Sequence, residues 1–258
     1  MWHCDPDPYA YKNYNLTEAQ DNATEIRNWL SSFGWTDNAI CAFLGNVHTE
    51  GAYNPWCWER QSAPYNNPPT YAEYQTDWLR ARGYGLVQFT PAAKYIDSRA
   101  YWLLPAPYGG DDSTAWSPDY PPPADTSTMP GYGPYFADRA GNTFDGVAQL
   151  YFVHYYADYY DSIPGVSIPN ISYAQFRSST ASVAWLTEVW LRNYERPDEQ
   201  YIIGTLAERV DAAEFWWTYF TGLPPEPPTP PGPEPPTPSK KKRSIVILAG
   251  SRPYIQWK

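Results

Sequence analysis

The sequence predicts a mainly α (α+β) domain with a small β segment, a long irregular insertion and a proline-rich connection to a short tail. Three observations lead there. Hydrophobic residues make up 43% and aromatics 18% of the 258 positions, enough for a sizeable core without disulfides or metal. Most readable segments carry apolar residues at helical spacing. Pro224 to Pro238 then holds ten prolines in fifteen positions, a stiff spacer with no side chains to build a core.

Taken in order, Thr17 followed by Gln20 reads as a capping box opening a helix through about Ser32, which Gly34 stops. Thr36 caps a second helix through about Thr49. Thr90-Pro91 predicts the start of a third, because proline at the first helical position forfeits a hydrogen bond the helix end lacks anyway. Further helices are expected over about Thr143–Tyr160, Ser182–Tyr194 and Asp198–Phe220. GYGLVQFT is the expected β segment. Between Trp102 and Gly141 proline, glycine and aspartate dominate, as in a binding loop or cover.

The expected organisation is an N-terminal arm at 1–14, a domain at 15–223, the linker at 224–238 and a basic tail at 239–258. Charge divides at the same boundary. The first 223 residues hold 12 basic and 26 acidic side chains, whereas the remainder holds 6 and 2. A net charge of −10 speaks against nucleic acid held on a general basic surface. No apolar run approaches the roughly 18 residues of a membrane span, and MWHCDPDPYA has neither a basic nor an apolar leader region. Membrane insertion and standard export are therefore not expected. Cys4, Cys41 and Cys57 define no disulfide framework. No CxxC or HExxH spacing supports a metal site from them with His3, His48 or His154.

The second predicted helix, TDNAICAFLGNVHTEG, sets Ile40, Phe43, Leu44 and Val47 on one face, and Glu50 borders that stripe at the carboxyl end. The helix dipole and partial desolvation there both disfavour the carboxylate, which is the requirement for a general acid. A solvated glutamate at a helix end is the alternative. Trp56 and Trp58, in the Pro- and Asn-rich connection that follows, suit stacking against sugar rings or packing. For GYGLVQF the choice lies between a cleft wall and a plain strand pair with Leu86 and Phe89 in the core. His154 reads as a packed histidine.

LGNVHTEGAYNPWCWE, then about 30 residues on GYGLVQFTPAAKY, then WLRNYERPD, together resemble the phage tail lysozyme family, from about Asn15 to about Phe220. That family sits within the goose-type lysozymes and soluble lytic transglycosylases. The resemblance implies a lysozyme-like fold without cofactor. It also implies cleavage of the β-1,4 bond between N-acetylmuramic acid and N-acetylglucosamine in peptidoglycan, by an enzyme carried in the phage virion. It makes Glu50 the acid that protonates the glycosidic oxygen, and Tyr84, Gly85, Leu86 and Gln88 one wall of the sugar cleft, with Trp56 as a platform. Tyr194 would close the cleft from the opposite side. A second carboxylate is needed only by a hydrolase, not by a lytic transglycosylase; Asp77 is the expected one, with Glu59 and Glu73 as competitors. Two positions depart from the pattern: Gly51 stands where many relatives carry Ser, and Phe89 where Trp is frequent. Ser244 to Leu248, after the basic Lys240 to Arg243, suits strand addition to another virion protein. Two other readings remain: a non-catalytic glycan-binding or structural tail component, and an enzyme for chitin or another acetylated polysaccharide.

Overall fold

The computed structural model describes residues 2–5, 7, 9–59, 81–92, 95, 145–155, 160 and 171–225. Six α-helices have both ends among the described residues: α1 (Thr17–Ser32), α2 (Asp37–Glu50), α3 (Asp145–Tyr155), α4 (Tyr173–Arg177), α5 (Val183–Trp190) and α6 (Glu199–Thr221). One π-helical turn, Leu191–Glu195, continues α5. None of these helices is long and apolar enough to cross a membrane.

The architecture is mainly helical, around a central α2. Every residue from Ala39 to His48 is buried, so α2 is enclosed on all sides rather than along one stripe. α6, α5, α1 and α4 pack against it, and α3 lies against α1. The α2–α6 crossing is close because Gly45 has no side chain: a Cβ there would come within 2.7 Å of Ala213 Cβ. Aromatic residues fill the rest. Trp190 stacks on Tyr194 at 4.2 Å between centroids and meets Phe43 edge-on at 5.0 Å.

Local signals explain most helix boundaries. Thr36 accepts a hydrogen bond from the Ala39 amide, as expected of the cap of α2. Asp198 does the same for α6 through Tyr201, and Gly222, at φ 69°, closes that helix in the left-handed conformation. α1 departs from expectation: Leu16 occupies the cap position without a side-chain hydrogen bond, and Thr17 is already helical. α4 was not anticipated, although Ser172 and Gln175 form a full capping box.

Two further expectations are corrected. The β segment is reduced to single antiparallel bridges, Trp58 with Tyr84 and Tyr84 with Phe89, because the chain turns too sharply between them to build a ladder. Pro91 is not the first helical residue that was expected: residues 90–92 form a bend and turn, Tyr95 is helical, and the rest of that segment lies outside the described residues. The N-terminal arm packs onto the helices: Trp2 is buried, Asn22 holds both backbone groups of His3, and Asn54 Nδ2 donates to the carbonyls of Asp5 and Asp7. His154 is packed as expected, stacked on Phe33 and accepting from Trp35 Nε1. Burial and then Arg177 pull it down to about 4. The 102–141 insertion, the linker beyond Pro225 and the basic tail lie outside the described residues.

Candidate active site

Glu50 is the last residue of α2, and its side chain is 16% exposed. The chain reverses immediately beyond it. Ala52 and Tyr53 both adopt left-handed backbone, at φ 48° and 61°, a conformation that costs residues with a Cβ of the order of 1 kcal/mol or more each. Asn54 secures the reversal, its Oδ1 accepting from the Trp56 amide. Four non-glycine residues have positive φ among the described residues: Ala52, Tyr53, Gln88 and Arg196. Two follow Glu50, one lies in the loop packed against it, and one follows Glu195. Three of the four thus gather at the end of α2.

That loop, residues 82–89, folds over the turn. The Gly85 amide donates to Cys57 O at 2.8 Å, and the Glu59 amide to Gly83 O at 2.9 Å. Gly51 packs directly beneath it: a Cβ there would lie 2.6 Å from Leu86 O and 2.7 Å from Gly85 O. Its φ of −114° suits any residue, so space and not backbone conformation requires glycine. The departure from Ser therefore has a packing reason. Gly51→Ala should lower stability by about 1–3 kcal/mol, as overpacking does, or push the loop off Glu50. An unchanged denaturation midpoint together with unchanged spectra would show that the contact is not tight.

Gln149 of α3 joins both halves. Fully buried, it accepts from the Leu86 amide and donates to Pro55 O, each at 2.7 Å. Its amide satisfies two backbone groups that burial would otherwise leave without partners.

The residues expected to form the cleft wall are brought together here, but mostly by their backbones. Tyr84 and Leu86 point into the core and are fully buried, as the strand-pair reading anticipated for Leu86 and Phe89. Gln88 is half-buried, and its amide nitrogen donates to Cys57 O at 3.0 Å and Gly85 O at 3.2 Å. Trp56 is 7% and Tyr194 6% exposed, so both are largely enclosed. Trp58 packs on Tyr84 at 4.5 Å. Glu59 Oε2 accepts from the Gly83 amide at 3.0 Å, which bonds that carboxylate to the loop. Asp77 and Glu73 lie outside the described residues.

The partners of Glu50 were not anticipated. Arg209, from the middle of α6, is fully buried, and its Nη2 donates to Glu50 Oε1. Its Nη1 donates to Asn46 Oδ1 at 3.0 Å, one turn before Glu50 on the same edge of α2, and Nη2 also reaches the Tyr201 hydroxyl at 3.4 Å. Asn46 is held in turn by the carbonyls of Ala42 and Thr187. Burial works against the Arg209 charge, but Glu50 and Glu195 outweigh it and raise its pKa.

Glu195 is the second carboxyl of this group. The π-helical turn adds a residue to the end of α5, with the Arg196 amide reaching back to Leu191 O at 2.9 Å. Glu195 Oε1 accepts from Trp190 Nε1 at 3.1 Å. Burial first, and then the Glu50 charge, push the Glu195 carboxyl up to about 8; Arg209 and the Trp190 bond oppose the rise. The turn itself is anchored by Arg192, which bonds Glu188 at 2.8 Å and Glu199 at 2.7 Å. One sequence signal marked Arg209: it occupies a position in the buried stripe Ile202, Arg209, Ala212, Ala213 and Trp216, where an apolar residue is expected.

A glutamate at a helix end, a strained turn after it and a glycine-rich loop folded back on it form a unit that sequence comparison can test. Residues 21–104 match the phage tail lysozyme family. The stretch matching the phage tail lysozymes starts inside α1 and includes Glu50, Gly51, Trp56 and the loop from Tyr84 to Gln88. The chain is also similar to Morphogenesis protein 1 of Bacillus phage B103, 28% identical over 209 residues. That match covers 81% of this chain and 41% of the relative, so the chain spans about two fifths of the relative's length. The chain is similar to the phage tail lysozymes over residues 21–104, and Arg209 and Glu195 lie beyond that segment.

Proposed function

We propose that this protein is a peptidoglycan-cleaving enzyme of a bacteriophage particle, cutting the β-1,4 bond between N-acetylmuramic acid and N-acetylglucosamine, with Glu50 as general acid. The observation that carries this reading is the match to phage tail lysozymes over the segment holding Glu50, its turn and the Gly85–Leu86 loop. The strained backbone at Ala52, Tyr53 and Gln88, about Glu50, supports it. Protonating the glycosidic oxygen lets the sugar leave as an alcohol rather than an alkoxide. The backbone of Gly85 and Leu86 and the carbonyl of Gln88 form the edge along which a glycan strand binds, with Tyr84 and Trp56 supporting that edge from within and Tyr194 closing the cleft from the opposite side. Asp77 remains the proposed water-activating base if the enzyme is a hydrolase; a lytic transglycosylase needs none. Digestion of purified peptidoglycan followed by mass spectrometry is the test. Reducing or anhydro-muramic ends would identify the bond and the mechanism, and uncut strands would refute the reading.

A second reading, a structural component of the particle, is favoured by the relative's name, which speaks of morphogenesis. The uncut strands of the same digestion would support it. In either case the 15–223 segment is proposed as the functional unit and 239–258 as an anchor to other virion proteins. A chain ending at Leu223 should cleave walls as the full chain does but be absent from assembled particles. Normal incorporation of the shortened chain would remove the anchor from this account.

A further inference from the structure

The first turns of α6 border an open groove of about 400 Å³, lined by Asp198, Gln200, Tyr201, Gly204 and Thr205. That volume lies within the roughly 300–1,000 Å³ of small-molecule clefts. Tyr201 is the aromatic wall of the groove and is 43% exposed. The inner end of its side chain meets the partner of Glu50. Arg209 Nη2, which donates to Glu50 Oε1, also reaches the Tyr201 hydroxyl at 3.4 Å, and the guanidinium carbon lies 5.8 Å from the ring centroid. A single nitrogen therefore joins the groove to Glu50. The other lining groups are held in place as well. Asp198 Oδ1 accepts from the Tyr201 amide at 2.8 Å, and Thr205 Oγ1 donates to Tyr201 O at 3.0 Å and accepts from Arg209 Nε at 3.4 Å.

Gly204 has no packing reason to be glycine. It stands inside α6, where glycine is less favourable than alanine, its φ is not positive, and a Cβ added there would meet nothing within 4 Å. Gly45 and Gly51 differ in this respect, since neighbours fill the space a Cβ would need. A helical side chain covers the surface over the turn before it, so a longer residue at 204 would lie across Tyr201. The glycine leaves that ring bare.

We infer that Tyr201 and Gly204 form a sugar subsite next to Glu50, in which one N-acetylhexosamine ring of a glycan strand stacks on Tyr201 while Asp198 and Gln200 bond its hydroxyl and acetamido groups. The inference rests on Glu50 being the general acid of a glycan-cleaving enzyme, and it adds a platform from α6 to the edge formed by residues 85–88. The CH groups of a pyranose pack on an aromatic face, and its hydroxyls need acceptors at the rim. A carboxylate at that rim suits a neutral ring, as in N-acetylglucosamine, better than one bearing a carboxylate of its own.

Gly204→Gln separates a ligand platform from a structural position, because the longer side chain covers Tyr201 while strengthening the helix. The tetramer of N-acetylglucosamine is titrated into the full chain and the variant, followed by amide NMR, and both are melted. In the parent the tetramer should shift the amides of Tyr201, Gly204 and Thr205. The variant should melt no lower than the parent yet bind the tetramer about three- to tenfold more weakly, the range for loss of one aromatic contact. Tyr201→Leu should weaken binding to the same extent, and the parent shifts with this variant decide the matter if Gly204→Gln does not fold. A parent that binds no tetramer or binds it with shifts elsewhere, or a folded Gly204→Gln chain with the parent's affinity, would overturn the subsite. If the parent binds at Tyr201 but cuts no wall, the enzymatic reading fails while the subsite stands. If it cuts walls and Gly204→Gln keeps the parent's KM, the subsite fails while the enzymatic reading stands.

Discussion

Glu50→Gln should abolish wall cleavage while leaving the protein folded. The amide oxygen still accepts from Arg209 Nη2, so the buried guanidinium keeps its contact. What disappears is a transferable proton beside the glycosidic oxygen. General acid catalysis typically contributes 10²–10⁴-fold, and the loss should lie within or above that range. Melting and circular dichroism establish the fold, and release of soluble fragments from purified walls gives the rate. A well-folded variant clearing walls within about tenfold of the parent would mean that Glu50 is not the acid.

Arg209→Met should have the largest effect on stability. Methionine fills much of the volume but leaves Glu50 without its paired cation, and removes the donors to Asn46 Oδ1 and Tyr201. Removing one partner of a buried ion pair typically costs about 3–5 kcal/mol, because the remaining charge stays buried without compensation. The loss should depend on pH in a definite direction. The penalty should be larger in alkaline solution, where Glu195, pushed up to about 8 by burial first and then the Glu50 charge, ionises as well. Denaturant unfolding at pH 5 and pH 8.5 provides the comparison. Equal losses at the two pH values would mean that the charge of Arg209 has no part in holding the site together.

How much was legible in the sequence follows from the range of the interactions involved. α2 could be read because its determinants are local: Thr36 caps it, the apolar spacing fills it, and Glu50 falls within the last turn. α6 was equally readable, from Asp198 at one end and Gly222 at the other. The motif around Glu50 and Gly85 pointed to phage tail lysozymes, and the family match covers both. The capping box of α4 was present in the sequence as Ser172 and Gln175, and a closer reading of that segment would have found the helix.

Other features had no local cause. GYGLVQF has a strand's alternation, but its segment closes on itself through single bridges and the left-handed Gln88, so tertiary contact with Gly51 and Gln149 overrode the propensity. The sequence by itself determined the helical class, the position of Glu50 at the end of a buried helix, and the glycine-rich segment that accompanies it. Only the tertiary structure decided what Glu50 faces. Arg209 stands 159 residues away in the chain, and Glu195 is re-aimed by a π-helical turn that no spacing rule foretells. A side chain's charge state depends on which charges share its cavity and how much water is excluded, and both are set when α2, α5 and α6 pack together.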